Sequence, residues 1–199
     1  MNTKLRLAPD AYLFPLPAVL LGAQVNGQPN YSTIGNCGIL TVGPPIVYVS
    51  SHHKHYTNVG IREHGTYSLN VPSSSMAVVT DYCGIVSGAD VDKSGVFTSF
   101  YGDLGTAPMI EECPVNLECR VIQTIELHGM EVFIAEVVGA YASEACLKDG
   151  RPDMEAVDPL IYEFSGNYWS IGREVGAAFA DGHKYEVHSS SAPPGDSGG

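Results

Sequence analysis

The densest group of reactive side chains in this sequence is Ser50-Ser51-His52-His53-Lys54-His55-Tyr56-Thr57. It combines hydroxyls, imidazoles and one ammonium. It lies within residues 11–62, which contain no Asp or Glu, in a chain with 22 of them and a net charge of −12. Lys54 is the only Lys or Arg between Arg6 and Arg62. A lysine, several hydroxyls and cleared carboxylates describe a site for an anion, because like charges disfavour its binding. The segment Asn58 to His64 reads as a helix closed by Gly65, and a helix start offers unpaired N–H groups and partial positive charge. Ser50, Ser51, His53, Lys54 and Thr57 are therefore candidate phosphate contacts. Thr57 also fits the N-cap of that helix, a compatible role. The competing reading of the cluster is an exposed polar loop. His53 and His55 would share a face of a continuing strand, which is metal-ligand spacing. No third ligand is evident nearby, so no metal is expected.

The elements that must position this cluster are mostly strands. Ile46 to Val49 is apolar and leads directly into it. Ala18 to Val25 is a continuous apolar run, suited to a strand covered on both faces. Asn26-Gly27 follows as a two-residue hairpin turn. The next segment, Gln28 to Gly38, is rich in amides, hydroxyls and glycine, so its backbone can approach a ligand closely. Thr66 to Val71 makes another strand. Ser73 or Ser74 caps a helix through about Tyr82, with Gly84 as its stop. In Val115 to Val121 the apolar residues alternate with Asn116, Glu118 and Arg120. Glu131 to Tyr141 pairs back onto that strand after a turn at His128-Gly129, giving a long antiparallel hairpin. Leu160 to Tyr162 reads as a short strand and Ser170 to Ala180 as a last helix. Residues 188–199 are low in complexity and read as a disordered tail. These signals predict a single mainly β domain over residues 1–187, a closed antiparallel barrel with short helices at its rim.

Taken in order, the segments resemble the flavin reductase-like family of FMN-binding split barrels, flavoredoxins included. Asn30-Tyr31-Ser32-Thr33-Ile34-Gly35 is similar to the family's Asn–x–x–Thr stretch. Pro44 to Ser50 is similar to its buried strand. Thr57 to Ile61 with Gly65 to Asn70 is similar to its Thr-, Ile-, Gly- and Asn-containing signature. Asp81 to Gly84 with Ser87-Gly88 and Asp92-Lys93 resembles its central stretch. Asp158-Pro159-Leu160 and Trp169 to Gly172 resemble its C-terminal pattern. The resemblance implies a split β-barrel, non-covalent FMN and a homodimer with the flavin near the subunit boundary. It implies that Asn30, Ser32, Thr33, Ile34 and Gly35 line the flavin, joined by the backbone of Asn36 and Cys37. Tyr162, Tyr168 and Trp169 form a late aromatic group with two readings: packing in the core or interface, or one of them, Trp169 included, as a flat wall for the flavin ring. The loop Gly84 to Gly105, with Lys93, Phe97, Phe100 and Tyr101, reads either as a cover over the flavin or as a packing arm.

Two redox functions are implied, beside a third reading as a flavin-holding or small-ligand-binding barrel without turnover. One is an oxidoreductase moving electrons from NAD(P)H to flavin; the other is an electron carrier reduced by a protein partner. Catalytic side chains are not required of the protein, because the flavin carries the electrons. No Rossmann glycine pattern, P-loop or nucleophile motif is present. The acidic balance excludes nucleic acid and anionic membrane surfaces as partners. No apolar run is long enough to span a bilayer. Five cysteines without a CxxC pair fit free thiols in a reducing cytoplasm. Cys37 and Cys83 have no flanking cation to lower their pKa and read as inert.

Overall fold

The computed structural model describes residues 3–185, so the expected tail at 188–199 lies outside the described residues. Seven strands form one antiparallel sheet: β1 (Val19–Val25), β2 (Gln28–Ile34), β3 (Cys37–Val42), β4 (Pro45–His52), β5 (Thr66–Val71), β6 (Val115–Leu127) and β7 (Met130–Ala142). Their spatial order is β2-β1-β5-β6-β7-β4-β3. The sheet curls around an apolar core, but its edge strands β2 and β3 do not pair. The barrel is split rather than closed, as the resemblance implied and the strand pattern alone did not. The turns are those the sequence dictates. Asn26 and Gly27 take φ of 51° and 77°, and His128 and Gly129 take 47° and 82°. Positive φ at both positions matches a two-residue turn to the twist of its strands.

Leu21, Ala23, Val49, Ile61, Tyr67, Cys119, Phe133 and Ala135 fill the barrel interior. β1 is buried on both faces because a second cluster lies outside it. Leu20 and Tyr31 pack there with Cys83, Phe97, Ile110 and Cys113. The loop after the second helix therefore serves mainly as an outer layer. Phe97 meets Tyr31 edge-on at 5.4 Å, and Phe100 meets Tyr141 edge-on at 5.6 Å. Phe97 and Phe100 of that loop thus pack on rings of the barrel itself, whereas Tyr101 is exposed. The polar residues Asn116 and Glu118 of β6 are also buried, beneath this layer. Glu118 is satisfied there by the backbone N–H groups of Asp103 and Leu104 at 3.1 and 2.8 Å.

Two helices frame the site. α1 (Thr57–His64) ends at Gly65, whose φ of 65° lets its N–H reach the Ile61 carbonyl at 2.8 Å. That is a left-handed glycine stop. Gly60 seats α1 against β1, since a Cβ there would collide with the Gln24 carbonyl. α2 (Ala77–Ile85) follows one 3₁₀ turn at Ser74–Met76 and runs through Gly84 instead of stopping there. Residues 170–177 form no helix or strand, and only a 3₁₀ turn follows at Asp181–Lys184. Gly172, Gly176 and the β-branched Ile171 and Val175 give that segment little helix propensity.

Candidate functional site

The site is built where β2, the end of β4 and the two helices meet. β4 delivers its polar end to a tight turn, in which the His55 N–H donates to the His52 carbonyl at 2.9 Å. The N–H groups of Asn58 and Val59 donate to the carbonyls of His55 and Tyr56, both at 3.1 Å. The amides of Tyr56 and Thr57 have no acceptor among the described residues. Tyr56, not Thr57, occupies the N-cap position, and no side chain caps the helix.

Thr57 is buried and its hydroxyl has a different task. It accepts from Asn30 Nδ2 at 2.7 Å and donates to Ser32 Oγ at 3.0 Å. The order Asn30, Thr57, Ser32 leaves the Ser32 hydroxyl proton free at the end of a polarised chain. Ser51 is also turned inward. Its hydroxyl donates to Asn58 Oδ1 at 2.7 Å. Asn58 in turn donates to Glu131 at 2.8 Å, and Arg62 donates to the same carboxylate at 3.0 and 3.1 Å. A carboxylate from β7 thus sits close under α1, although residues 11–62 contain none. Its charge is matched by Arg62, and it does not line the cleft described next.

That cleft measures about 180 Å³ and is bordered by Ser32, Thr33, Lys54, Thr57, Cys83 to Gly88 and Lys93. His55 and Tyr56 complete it. Two lysines face it and no carboxylate does. Lys93 is 2 % exposed, and no carboxylate pairs with it among the described residues. Its ammonium donates to the carbonyls of Val86 at 2.9 Å and Cys83 at 3.3 Å, at the C-terminal end of α2. A helix C-terminus carries partial negative charge, so Lys93 neutralises the wall that would otherwise repel an anion. Burial lowers its pKa, opposed by the nearby Cys83 thiol. His55 is likewise held below its ordinary pKa, first by burial and then by His52 and Lys93.

Thr33 and Gly84 also border a second cleft of about 300 Å³, so the two adjoin. Its other walls are Ala18, Gly35, Asp81, Tyr162, Gly166 and Tyr168. Glycine at 35 lets the Tyr162 ring lie close, since a Cβ there would stand 3.2 Å from it. The Tyr162 and Tyr168 rings lie 5.7 Å apart. The Tyr168 hydroxyl donates to Asp81 at 3.1 Å, and burial together with that carboxylate pushes its pKa up to about 12. It is a neutral phenol at physiological pH.

Among the residues anticipated from sequence, Ser32, Thr33, Lys54 and Thr57 border the first cleft and Gly35 the second. Asn30 supports them from behind. Ile34 points into the barrel core. The Asn36 carbonyl accepts from the Ser50 N–H at 2.7 Å, a bond that ties β3 to β4. Neither of these two residues borders either of the two clefts, nor does Cys37, whose thiol burial raises to about 12. His53 stacks on His52 and its ring bonds the Gly129 carbonyl at 2.8 Å, on the hairpin turn. His53 and His55 therefore diverge. No cluster of three or more metal-ligating side chains occurs among the described residues. Trp169 is 55 % exposed and pairs with Ile161, whereas its neighbour Tyr168 pairs with Tyr162. Strand alternation sends Trp169 to the other face. Tyr162 and Tyr168, two of the late aromatics read as a wall for the flavin ring, border the second cleft, and Lys93, from the loop read as a cover, borders the first. Asp81 entered the sequence reading only through the family resemblance.

The family model for the flavin reductase like domain matches residues 11–171. A flavoredoxin from Methanosarcina acetivorans superimposes with a TM-score of 0.89 at 42% identity, over 92% of this chain and 99% of that one. The flavoredoxin of Desulfovibrio vulgaris (Miyazaki F) gives 0.82 at 33%, over 92% and 100%. An uncharacterized protein of Archaeoglobus fulgidus is 30% identical over 165 residues, 82% of this chain and 92% of its own. With its split barrel and these likenesses, the chain belongs to the flavin reductase-like family and is of the flavoredoxin type.

Proposed function

We propose that the protein binds FMN non-covalently and moves electrons from NAD(P)H to the flavin. The observation that carries this reading is a lysine-walled, carboxylate-free cleft adjoining an aromatic one across Thr33 and Gly84. Together the two clefts fall within the roughly 300–1,000 Å³ usual for cofactor sites. Lys54, Lys93, the Ser32 hydroxyl and the amides of Tyr56 and Thr57 would hold the phosphate. Thr33, Gly35, Gly84, Tyr162 and Tyr168 would border the ring. When bound, FMN supplies the redox chemistry itself. The chain's residues bind, orient and shield it. Asn30 and Thr57 fix the Ser32 donor, and Lys93 offsets the negative end of α2. Tyr168 keeps its proton and holds Asp81.

The absorbance spectrum of the purified protein tests the cofactor. Bands near those of free flavin, with FMN released by heat, are expected. Recovery of FAD alone, or flavin that stays attached to the chain, would count against it. A carrier reduced by a protein partner is the second reading, favoured by the likeness to two flavoredoxins. Anaerobic mixing with NADH and NADPH separates them. Bleaching of the flavin band within about a second supports the reductase. No bleaching by either nucleotide, with ready reduction by a protein donor, supports the carrier.

The chain would act as a homodimer. Ile39, Leu40 and Val42 of edge strand β3 are 71, 50 and 88 % exposed. Ile39 and Val42, with Val47, Leu117 and Val137, line an apolar groove of about 380 Å³. An open, apolar sheet edge of this kind is a pairing surface. Light scattering should give twice the chain mass of 21.2 kDa, and Val42→Glu should give the monomer. A reducing cytoplasm suits the five free thiols. No helix among the described residues is long and apolar enough to cross a membrane.

A further inference from the structure

The phosphate cleft has a neighbour on its far side, away from the aromatic cleft. This third cleft, about 230 Å³, shares Tyr56, Gly88 and Lys93 with it. Tyr56 forms the partition. Its hydroxyl accepts from Asn26 Nδ2 at 3.0 Å. Gly88 closes against it, since a Cβ at that position would stand 2.8 Å from the Tyr56 ring and collide with Asn30. Beyond the partition the charge changes sign. Asp90 and Asp92 line the third cleft, and Lys93 is the only cation bordering it. Asp92 is held as a carboxylate below its usual range, chiefly by the Ser94 N–H. The Lys93 ammonium is buried, and its two protein partners are both carbonyls. One of its three N–H groups is left for a ligand.

We infer that Asp90 and Asp92, behind the Tyr56 partition, select FMN against FAD. A single terminal phosphate ends at Lys93 and the partition. A dinucleotide must carry a second phosphate and a nucleoside past that point, into a cleft faced by two carboxylates. Like charges there oppose the second phosphate. The carboxylates are exposed, so each contributes modestly and in a salt-dependent way. This inference rests on the proposed flavin site.

The test compares FMN, FAD and riboflavin by fluorescence titration at low and high salt, using the wild-type chain and the double variant Asp90→Asn, Asp92→Asn. Asparagine keeps an acceptor for the Ser94 N–H, so the loop retains its shape. The wild type should prefer FMN. In the double variant FAD affinity should rise about tenfold at low salt, three- to fivefold per charge removed. FMN should change far less, riboflavin should not change, and the FAD gain should shrink at high salt. An unchanged FMN-to-FAD ratio, with FMN still bound, overturns this inference alone. A rise shared equally by riboflavin also overturns it, because the change then acts on the fold. Failure of the wild type to bind any flavin overturns the site reading and this inference with it.

Discussion

Replacing Lys93 by Met removes the buried ammonium while keeping an unbranched stem. Two consequences oppose each other in the fold. The Cys83 and Val86 carbonyls lose their donor, at about 1–3 kcal/mol for each group left buried and unpaired. The desolvation of the charge, which holds the Lys93 pKa down, is relieved at the same time. The melting temperature should therefore move by only a few degrees. Flavin binding has no such compensation. The cleft loses one charge-assisted hydrogen bond, about 1.5–3 kcal/mol, and is left facing the bare negative end of α2. At 1.4 kcal/mol per tenfold, FMN should bind at least roughly tenfold and up to about a hundredfold more weakly. Riboflavin, with no phosphate, should bind as in the wild type. Titration of the apoprotein with each flavin, followed by fluorescence quenching, reads both affinities. FMN binding within twofold of wild type would refute the reasoning, and so would a parallel loss of riboflavin, which would mean that Lys93 acts only through the fold.

Thr57→Val should weaken FMN and also lower stability by about 1–3 kcal/mol, because Asn30 is left buried without its acceptor; Thr57→Ser should restore both, as urea unfolding and flavin titration would show. Gly60→Ala should destabilise by about 1–3 kcal/mol despite alanine's better helix propensity, since the added carbon meets the backbone of β1; an unchanged melting temperature would contradict that packing. Burial raises the thiols of Cys37, Cys83, Cys113 and Cys119, so a native thiol titration at neutral pH should report one fast group, Cys146, and five after denaturation. The same thiols ionise more readily unfolded than folded. Their contribution is intact below the ordinary thiol range near about pH 8.5 and is lost towards the Cys37 value of about 12, so unfolding in urea should become easier as pH rises through that window.

Much of the barrel was legible in the sequence because its signals are local. The two-residue turns at Asn26-Gly27 and His128-Gly129 need positive φ, which those residue types supply. The strand Thr66–Val71 and the stop of α1 at Gly65 follow from alternation and from glycine's freedom. The neighbourhood of the proposed phosphate contacts was legible too, since clearing carboxylates from one segment and placing Lys54 before a helix leave a mark in composition. The helix expected at Ser170 to Ala180 failed because an apolar period there is outweighed by weak helix formers. The tertiary structure decided the rest. Whether Thr57 faces solvent or Asn30 depends on how β2 packs on α1, and Ser51 is taken by Asn58 for the same reason. Lys93 becomes a cleft wall only because its loop folds back beneath α2. Glu131 enters the acid-free region from a strand far along the chain, and its charge is silenced by Arg62. Sequence periodicity fixes which face a residue shares with its own neighbours; contacts between distant elements are set by packing and charge pairing, which no local pattern records.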